Sequence, residues 1–183
     1  MKRVVVAAIL AALISLEANA RAVQTGKPVE YEVKAAFLYN FGKFVKWPAA
    51  ALRNRNEFTI CVIGRDPFGT SLDMLLAGET VDGKRVVARR ISGSADTATC
   101  EIAFISGSEE RRLKEILAML AKANTLTVSD IPQFAQRGGM IEFILSGNKV
   151  RFDINLTPAE KADLMLGSDL LRVAASVKRN PEN

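Results

Sequence analysis

The fold is decided by the stretch FTICVIGRDPFGTSLDMLL, residues 58–76. Its first six residues are apolar except for Thr59 and have the length of a buried strand. Gly64 follows as a turn residue, and Asp66 with Pro67 is typical of the start of a helix. Apolar residues then recur at helical spacing before a glycine ends the run, namely Phe68, Leu72, Leu75, Leu76 and Gly78. A buried strand, a tight turn and a helix together indicate an α/β domain.

A helix that starts after a glycine turn is also the geometry that binds anions. One glycine is a weak signal, however, and the stretch lacks both the Walker lysine pattern and a complete G-x-G-x-x-G fingerprint. We therefore interpret residues 64–68 as a structural turn between strand and helix.

The segments that follow extend this unit into one sheet. Apolar runs predict strands at 85–91, 101–105 and 126–128, and the pair 140–145 and 150–155 predicts a hairpin. Helical spacing or capping residues mark the segments 31–47, 108–120, 130–137, the stretch from Thr157 onward and 169–177. The predicted fold class is α/β: a single domain with a mixed β-sheet of about six strands flanked by about five helices.

The strand 150–155 has the clearest alternation in the chain. Val150, Phe152 and Ile154 alternate with Arg151, Asp153 and Asn155. Such alternation predicts one buried face and one face open to water or to a partner.

The helix predicted at 31–47 carries Phe37, Phe41 and Phe44 on one stripe. We interpret this stripe as a core face packed against the sheet. The alternative is a small-ligand receptor, in which Phe41, Phe44 or Trp47 would line an apolar pocket.

Residues 1–20 have the composition of a secretory signal peptide. Lys2 and Arg3 precede an apolar run over 4–16, and Ala18-Asn19-Ala20 is a small-residue cleavage signal. A membrane anchor is disfavoured, because 13 helical residues span only about 20 Å of a hydrocarbon core of about 30 Å. We expect cleavage after Ala20, a flexible leader over 21–29, a domain over 30–183 and a periplasmic location without direct membrane insertion.

Composition excludes several functions. Loss of the signal leaves 23 basic and 19 acidic side chains, a net charge of +4. An exported domain does not normally meet nucleic acid, so this surplus suits solubility or an acidic partner. The chain has no histidine, which removes the commonest general base and zinc ligand. We expect no catalytic residues, no metal and no cofactor.

Serines beside acidic residues offer the one alternative for catalysis. Ser106, Ser108 and Ser129 lie near Glu109 or Asp130. Serine and an acid at a helix start usually cap the helix, and no histidine base is present, so capping is the favoured interpretation.

Cys61 and Cys100 are the two cysteines of the chain. In an oxidising compartment an even number of cysteines favours a disulfide, and this one would close about 40 residues. The alternative is a pair of buried, reduced thiols.

Several blocks of the chain resemble the YfiR-type (YfiR/HmsC) periplasmic regulators. The blocks are VKAAFLYNF (33–41) continued by KFV (43–45) and WP (47–48), TVDG (80–83), LTVSD (126–130), RGGMI (137–141) and NKVRF (148–152). They occur in family order over nearly the whole of the exported chain.

The resemblance implies a non-catalytic inhibitor. Such proteins bind the periplasmic domain of an inner-membrane diguanylate cyclase and lower its output of cyclic di-GMP. An outer-membrane, peptidoglycan-associated lipoprotein can sequester them. The family's cysteine bridge matches Cys61 and Cys100, and the second pair that some relatives carry is missing here.

We expect Trp47, Arg151 and Asp153 to be partner contacts. The polar face of the strand 150–155 presents the two charged residues, although an ordinary solvated face is the simpler interpretation of them. An exposed apolar patch would favour a homodimer.

Overall fold

The computed structural model describes residues 27–53, 55–91 and 100–179. The strands there are β1 Val45–Lys46, β2 Glu57–Ile63, β3 Thr80–Val81, β4 Lys84–Ile91, β5 Ile102–Ile105, β6 Leu126–Ser129, β7 Ile141–Ser146, β8 Lys149–Asn155, β9 Met165–Leu166 and β10 Ser176–Lys178. The helices are α1 Lys27–Phe44, α2 Ala49–Leu52, α3 Thr70–Leu76, α4 Leu113–Leu120, α5 Leu156–Lys161 and α6 Ser168–Val173, with a 3₁₀ helix at Gly107–Arg112. The predicted signal peptide, the predicted leader up to residue 26 and residues 92–99 lie outside the described residues.

Eight strands form one mixed sheet in the order β10-β8-β7-β6-β5-β2-β4-β3, and β1 pairs with β9 in a separate ribbon. The strands β4, β2, β5, β6 and β7 run parallel, whereas β3 and β8 are antiparallel to β4 and β7. The predicted single mixed α/β domain is confirmed, with more strands than expected. Because β4 and β5 lie on opposite sides of β2, the winding direction reverses between β2 and β5.

Each face of the sheet has its own core. On one face, Phe58, Ile60 and Val62 pack with residues of α1 and α3. On the other face, Cys61 and Ile63 pack with apolar residues of α4. The mostly apolar composition of residues 58–63 in β2 therefore reflects a strand that is buried on both sides.

The aromatic stripe of α1 is only partly a core face. Phe41 is fully buried, with its ring centroid 5.8 Å from that of Phe143 and 5.1 Å from that of Phe152. Phe37 packs against the same two rings. Phe44 is 42% exposed, so the core-face interpretation is confirmed for Phe37 and Phe41 and wrong for Phe44.

The predicted bounds of the first helix need correction. The helix begins at Lys27 rather than near Glu30, so the last residues of the predicted leader are helical. It ends at Phe44 rather than near Trp47, because Val45 and Lys46 pair with Leu166 and Met165. The backbone N–H of Gly167 donates to the Phe44 carbonyl at 2.8 Å.

Two predicted helices are shorter or absent. Residues 131–138 form turns, in which the Glu142 carboxylate accepts hydrogen bonds from the backbone N–H groups of Gln133 and Ala135. The predicted helix at 169–177 ends at Val173, because residues 176–178 pair in parallel with β8. In the first place a nearby carboxylate and in the second a strand more than 20 residues earlier overrides local helical preference.

Helix caps also differ in detail from the prediction. The capping residue of α5 is Asn155 and not Thr157. The side chain of Asn155 accepts a hydrogen bond from the backbone N–H of Thr157. Asp66 accepts from the Phe68 N–H in the turn before α3, which begins at Thr70. The hairpin turns at 82–83 and 147–148 are confirmed by the pairings Val81 with Lys84 and Ser146 with Lys149.

Gly139 is a steric requirement of the turn segment before β7. A Cβ atom at this position would lie 2.1 Å from the ring of Phe134, which is fully buried. We expect Gly139→Ala to lower the free energy of unfolding by about 3 kcal/mol, because the ring has to move within a packed core. A Cβ at Gly107 meets nothing within 4 Å, so Gly107→Ala is the control. Chemical denaturation that gives equal stabilities for the two variants would contradict the prediction.

Candidate functional site

Cys61 and Cys100 form a disulfide with their Cα atoms 5.7 Å apart. Cys61 lies in the middle of β2, and Cys100 comes just before β5. Both are buried in the core beneath α4. The predicted bridge is therefore present, and the alternative of two reduced thiols does not describe this structure.

Trp47 is placed in the core rather than on the surface. It is 8% exposed, and its ring meets that of Phe58 edge to face at 5.1 Å. Among the described residues, its indole Nε1 has no hydrogen-bond partner. A buried ring that packs against β2 offers little surface, and the role of Trp47 as a partner contact stays a prediction.

Arg151 and Asp153 lie on the face of β8 opposite to α1. Arg151 is exposed and stands across from Ile144, and Asp153 is half-buried and stands across from Glu142. Phe152 and Ile154 between and beyond them belong to the core on the α1 side. The structure therefore places these two residues on the predicted polar face, and it does not bring them together with Trp47.

The aromatic pocket of the receptor alternative is not formed by its predicted residues. Phe41 is packed among other rings, and Phe44 is on the surface. Trp47 borders a small cavity of about 260 Å³ together with Arg55, Glu101, Lys122 and Asn124. The three aromatic residues thus do not line one common space.

The ribbon of β1 and β9 exposes apolar side chains that the sequence patterns missed. Lys46 stands opposite Met165, and both are exposed, whereas Val45 is buried and Leu166 half-buried. Met165 is 69% exposed, and Phe44 comes directly before β1. We call Phe44, Lys46 and Met165 the ribbon face. Phenylalanine and methionine are enriched at protein interfaces, so these two exposed side chains make the ribbon face a candidate contact surface.

A crevice of about 960 Å³ lies outside the carboxyl ends of β2 and β5, at the point where the winding direction reverses. Open α/β sheets commonly bind ligands at this position. The walls include Tyr31, Glu32, Arg65, Phe68, Ser108 and Asp130. Gly64, at φ +89, turns the chain here, and a Cβ on it would lie 2.5 Å from Ser108 Oγ.

A buried ionic network forms one wall of the crevice. Lys34, only 3% exposed, lies 2.6 Å from Asp130 Oδ2 and 2.5 Å from Glu30 Oε1. The Tyr31 hydroxyl donates to Asp130 Oδ2 at 2.8 Å. Burial, then the hydrogen bond to Asp130, raises the pKa of Tyr31 well above its usual range. These groups satisfy one another, so the network joins α1 to the end of β6.

The serines beside this crevice make backbone contacts. Ser106 accepts from the Ser108 N–H, and the Ser108 hydroxyl accepts from the Arg65 N–H. Ser129 donates to the Ile105 carbonyl and accepts from the Ile131 N–H. Capping is the favoured interpretation of these serines, and their contacts are those of helix caps and loop braces.

Two searches of the described ranges gave no candidates. Within 27–53, 55–91 and 100–179, no three acidic, cysteine or histidine side chains are grouped to hold a metal ion. None of the helices in the part of the chain that the structure covers is long and apolar enough to cross a bilayer.

Two solved structures share the fold. A conserved domain protein of Vibrio cholerae is 14% identical with a TM-score of 0.52, over 81% of this chain and 60% of that one. The ABC domain of Streptococcus pneumonia, solved in complex with L-Trp, is 10% identical with a TM-score of 0.50, over 67% of this chain and 56% of that one. The chain thus spans less than two thirds of either protein, and at such identities the likeness shows the fold alone.

A family model adds what the fold alone does not. The model described as YfiR/HmsC-like matches residues 31–175, from the second turn of α1 to the residue before β10. This range contains the disulfide, the ribbon and the crevice. With most of its length matched, the chain belongs to the YfiR/HmsC-like family.

Proposed function

We propose that the protein is a non-catalytic periplasmic inhibitor of an inner-membrane diguanylate cyclase. It would bind the periplasmic domain of the cyclase and lower the output of cyclic di-GMP in the cytoplasm. An outer-membrane, peptidoglycan-associated lipoprotein would sequester it and relieve the repression. The observation that carries the proposal is the family match over residues 31–175, since this family points to regulation of cyclic di-GMP signalling from the periplasm.

Inhibition of this kind requires only a difference in affinity. If the protein binds the inactive form of the cyclase more tightly than the active form, the equilibrium moves toward the inactive form. A difference of about 1.4 kcal/mol changes the ratio of the two forms tenfold. A rigid surface is sufficient for this purpose, and the disulfide-linked sheet provides one.

We assign the contact to the ribbon face. Phe44 and Met165 are large, apolar and exposed, and Lys46, two residues after Phe44, pairs with Met165 and adds a positive charge. The backbone beneath them is held by the pairing of β1 with β9 and by the bond from Gly167 to Phe44. Exposed apolar anchors on a rigid base are the residues that dominate binding energy at protein interfaces.

The direct test is binding of the oxidised, exported protein to the periplasmic domain of a membrane diguanylate cyclase encoded in the same genome. We expect saturable binding with a dissociation constant in the micromolar range or below, about −8 kcal/mol or more favourable. Calorimetry gives the affinity and the stoichiometry. Absence of binding to every such cyclase would reject the proposed function.

Substitutions on the ribbon face test the contact itself. Phe44→Ala with Met165→Ala should weaken cyclase binding about 100-fold, because each anchor is expected to contribute about 1.4 kcal/mol or more. Met74→Ala is the matched control, since Met74 is also 69% exposed but lies on α3. If charge reversal of Arg151 and Asp153 weakens binding and the ribbon variant does not, the contact lies on β8 instead.

The crevice supports a second candidate function, a periplasmic small-ligand receptor. Its volume of about 960 Å³ and its place at the winding reversal suit a ligand of metabolite size. A ligand there could also tune an inhibitor. Thermal-shift titration with envelope metabolites tests this function, and Arg65→Ala should abolish any shift that arises in the crevice.

A further inference from the structure

An arginine-rich hollow lies on the α4 face of the sheet, at the amino-terminal ends of β2 and β4. It has a volume of about 610 Å³ and is lined by Arg55, Asn56, Glu57, Thr59, Arg85 and Arg89. Arg85 stands beside Glu57, and Arg89 stands beside Cys61. Since alternate residues of a strand share a face, β4 presents Arg85 and Arg89 on the same side as the disulfide. We call Arg55, Lys84, Arg85 and Arg89 the arginine cluster.

The positive charges of the cluster exceed the acidic charges that contact them. Glu57 serves two arginines, with Oε1 2.5 Å from Arg85 Nη2 and Oε2 3.1 Å from Arg89 Nη2. Arg55 lies 3.1 Å from the buried Glu101 carboxylate. Lys84 Nζ donates to the backbone carbonyl of Arg55 at 2.8 Å, which is a neutral acceptor. Among the described residues, the lining of the hollow thus has three arginines and one glutamate.

The hollow is open in the described part of the chain. On this face α4 packs over Cys61, Ile63 and the neighbouring residues of β5, toward the carboxyl ends of the strands. The side chains of Arg85 and Arg89 are 69% and 51% exposed, although the floor residue Thr59 is only 3% exposed. Each guanidinium carries five donors, so one contact with Glu57 leaves most of them available.

This arrangement suits the carboxylates of an extended peptide. Guanidinium groups bind carboxylates through paired hydrogen bonds, and Glu57 already shows that both arginines can converge on one carboxylate. In an extended chain, alternate residues project to the same side, so two acidic side chains could enter the hollow together. A flat bilayer surface cannot enter a concavity, which favours a peptide over a membrane.

We infer that the arginine cluster is a docking surface for an acidic, extended segment of a partner protein, whose carboxylates bind Arg85 and Arg89 in competition with Glu57. The inference does not depend on the ribbon face or on the identity of the cyclase. The pKa of Glu57 agrees with this inference. The hydrogen bond with Arg85 is the main cause that lowers it, so the arginines already favour a charged carboxylate.

The test uses the oxidised, exported protein and a fluorescein-labelled hexapeptide of alternating glutamate and threonine. Fluorescence anisotropy at low ionic strength measures its affinity, and a glutamine–threonine peptide is the neutral control. Arg85→Gln with Arg89→Gln should weaken binding at least about tenfold. Arg111→Gln with Lys114→Gln removes the same charge from exposed positions in the 3₁₀ helix and the first turn of α4, outside the lining of the hollow, and should change affinity less than about twofold.

Glu57→Gln gives the opposite sign. Removal of the internal competitor should tighten binding of the acidic peptide about three- to tenfold. Equal losses in the two double variants would show a mere net-charge effect and overturn the inference. No tightening in Glu57→Gln would show that Glu57 does not compete with the peptide for the arginines, which would also overturn it. Binding of phosphatidylglycerol vesicles with the same variant dependence, without binding of the peptide, would also overturn it. Because the peptide replaces the cyclase here, this inference can fail while the proposed function holds.

Discussion

Replacement of Cys61 and Cys100 by alanine is expected to lower the free energy of unfolding by about 4 kcal/mol. The bridge joins residues 39 positions apart, and a loop of this length loses much conformational entropy in the unfolded chain when it is closed. For a domain of this size, the melting temperature should fall by roughly 8 to 16 °C.

Scanning calorimetry with and without a reducing agent provides the check. The wild-type protein should lose a similar amount of stability on reduction, whereas the double variant should be indifferent to the reductant. A double variant with wild-type stability would show that the bridge does not support the fold. We also propose that the bridge sets the amount of folded inhibitor, so that a reducing periplasm would deplete it and release the cyclase. Normal stability, abundance and repression in cells that carry the double variant would rule this out.

Phe41→Ala is expected to cost about 4 kcal/mol, the loss typical of a fully buried phenylalanine. The ring of Phe41 lies between α1 and the sheet and contacts the rings of Phe143 and Phe152. Its removal leaves a cavity where helix and hairpin meet. Urea unfolding should show a midpoint lower by about 2 M.

The same helix provides a matched control. Phe44 lies three residues further along and is 42% exposed, so Phe44→Ala should cost less than about 1 kcal/mol. The two variants should therefore separate stability from binding, with Phe41→Ala affecting the first and Phe44→Ala the affinity for the cyclase. Equal destabilisation by both would contradict the exposure of Phe44.

The longer strands of the main sheet could be predicted because they have enough residues to carry a pattern. The run 58–63 and the alternation at 150–155 each fill a strand, so burial dictates their composition. The family blocks repeat the same information. These signals were sufficient for the class of fold, the hairpins and the disulfide.

The short strands could not be predicted in this way. β1, β9 and β10 have two or three residues each, which is too few for periodicity to appear. Their partners are also far away in the chain, as with Val45 and Leu166. For this reason the helix predicted through Trp47 ends at Phe44, and a ring expected inside the core faces outward.

The candidate sites were harder to predict than the fold. Alternation marked Arg151 and Asp153 as polar residues on a strand, and the same logic applied to Arg85 and Arg89 would have drawn attention to β4. Glu57 could not be connected with them, because the pairing of β2 with β4 is known only from the structure. The expectation that Trp47 contacts a partner rests on its residue type, whereas its burial depends on tertiary packing that composition does not reveal.

The pairing of β1 with β9 also has a consequence for the order of folding. Val45 emerges early in the chain, but its partner Leu166 comes near the end, so the ribbon has a high sequence separation and forms late. An incompletely exported chain, or a fragment that ends before Met165, would have a disulfide-linked sheet but no ribbon face. The proposed inhibitory surface would thus be completed among the last steps, and only finished molecules would silence the cyclase.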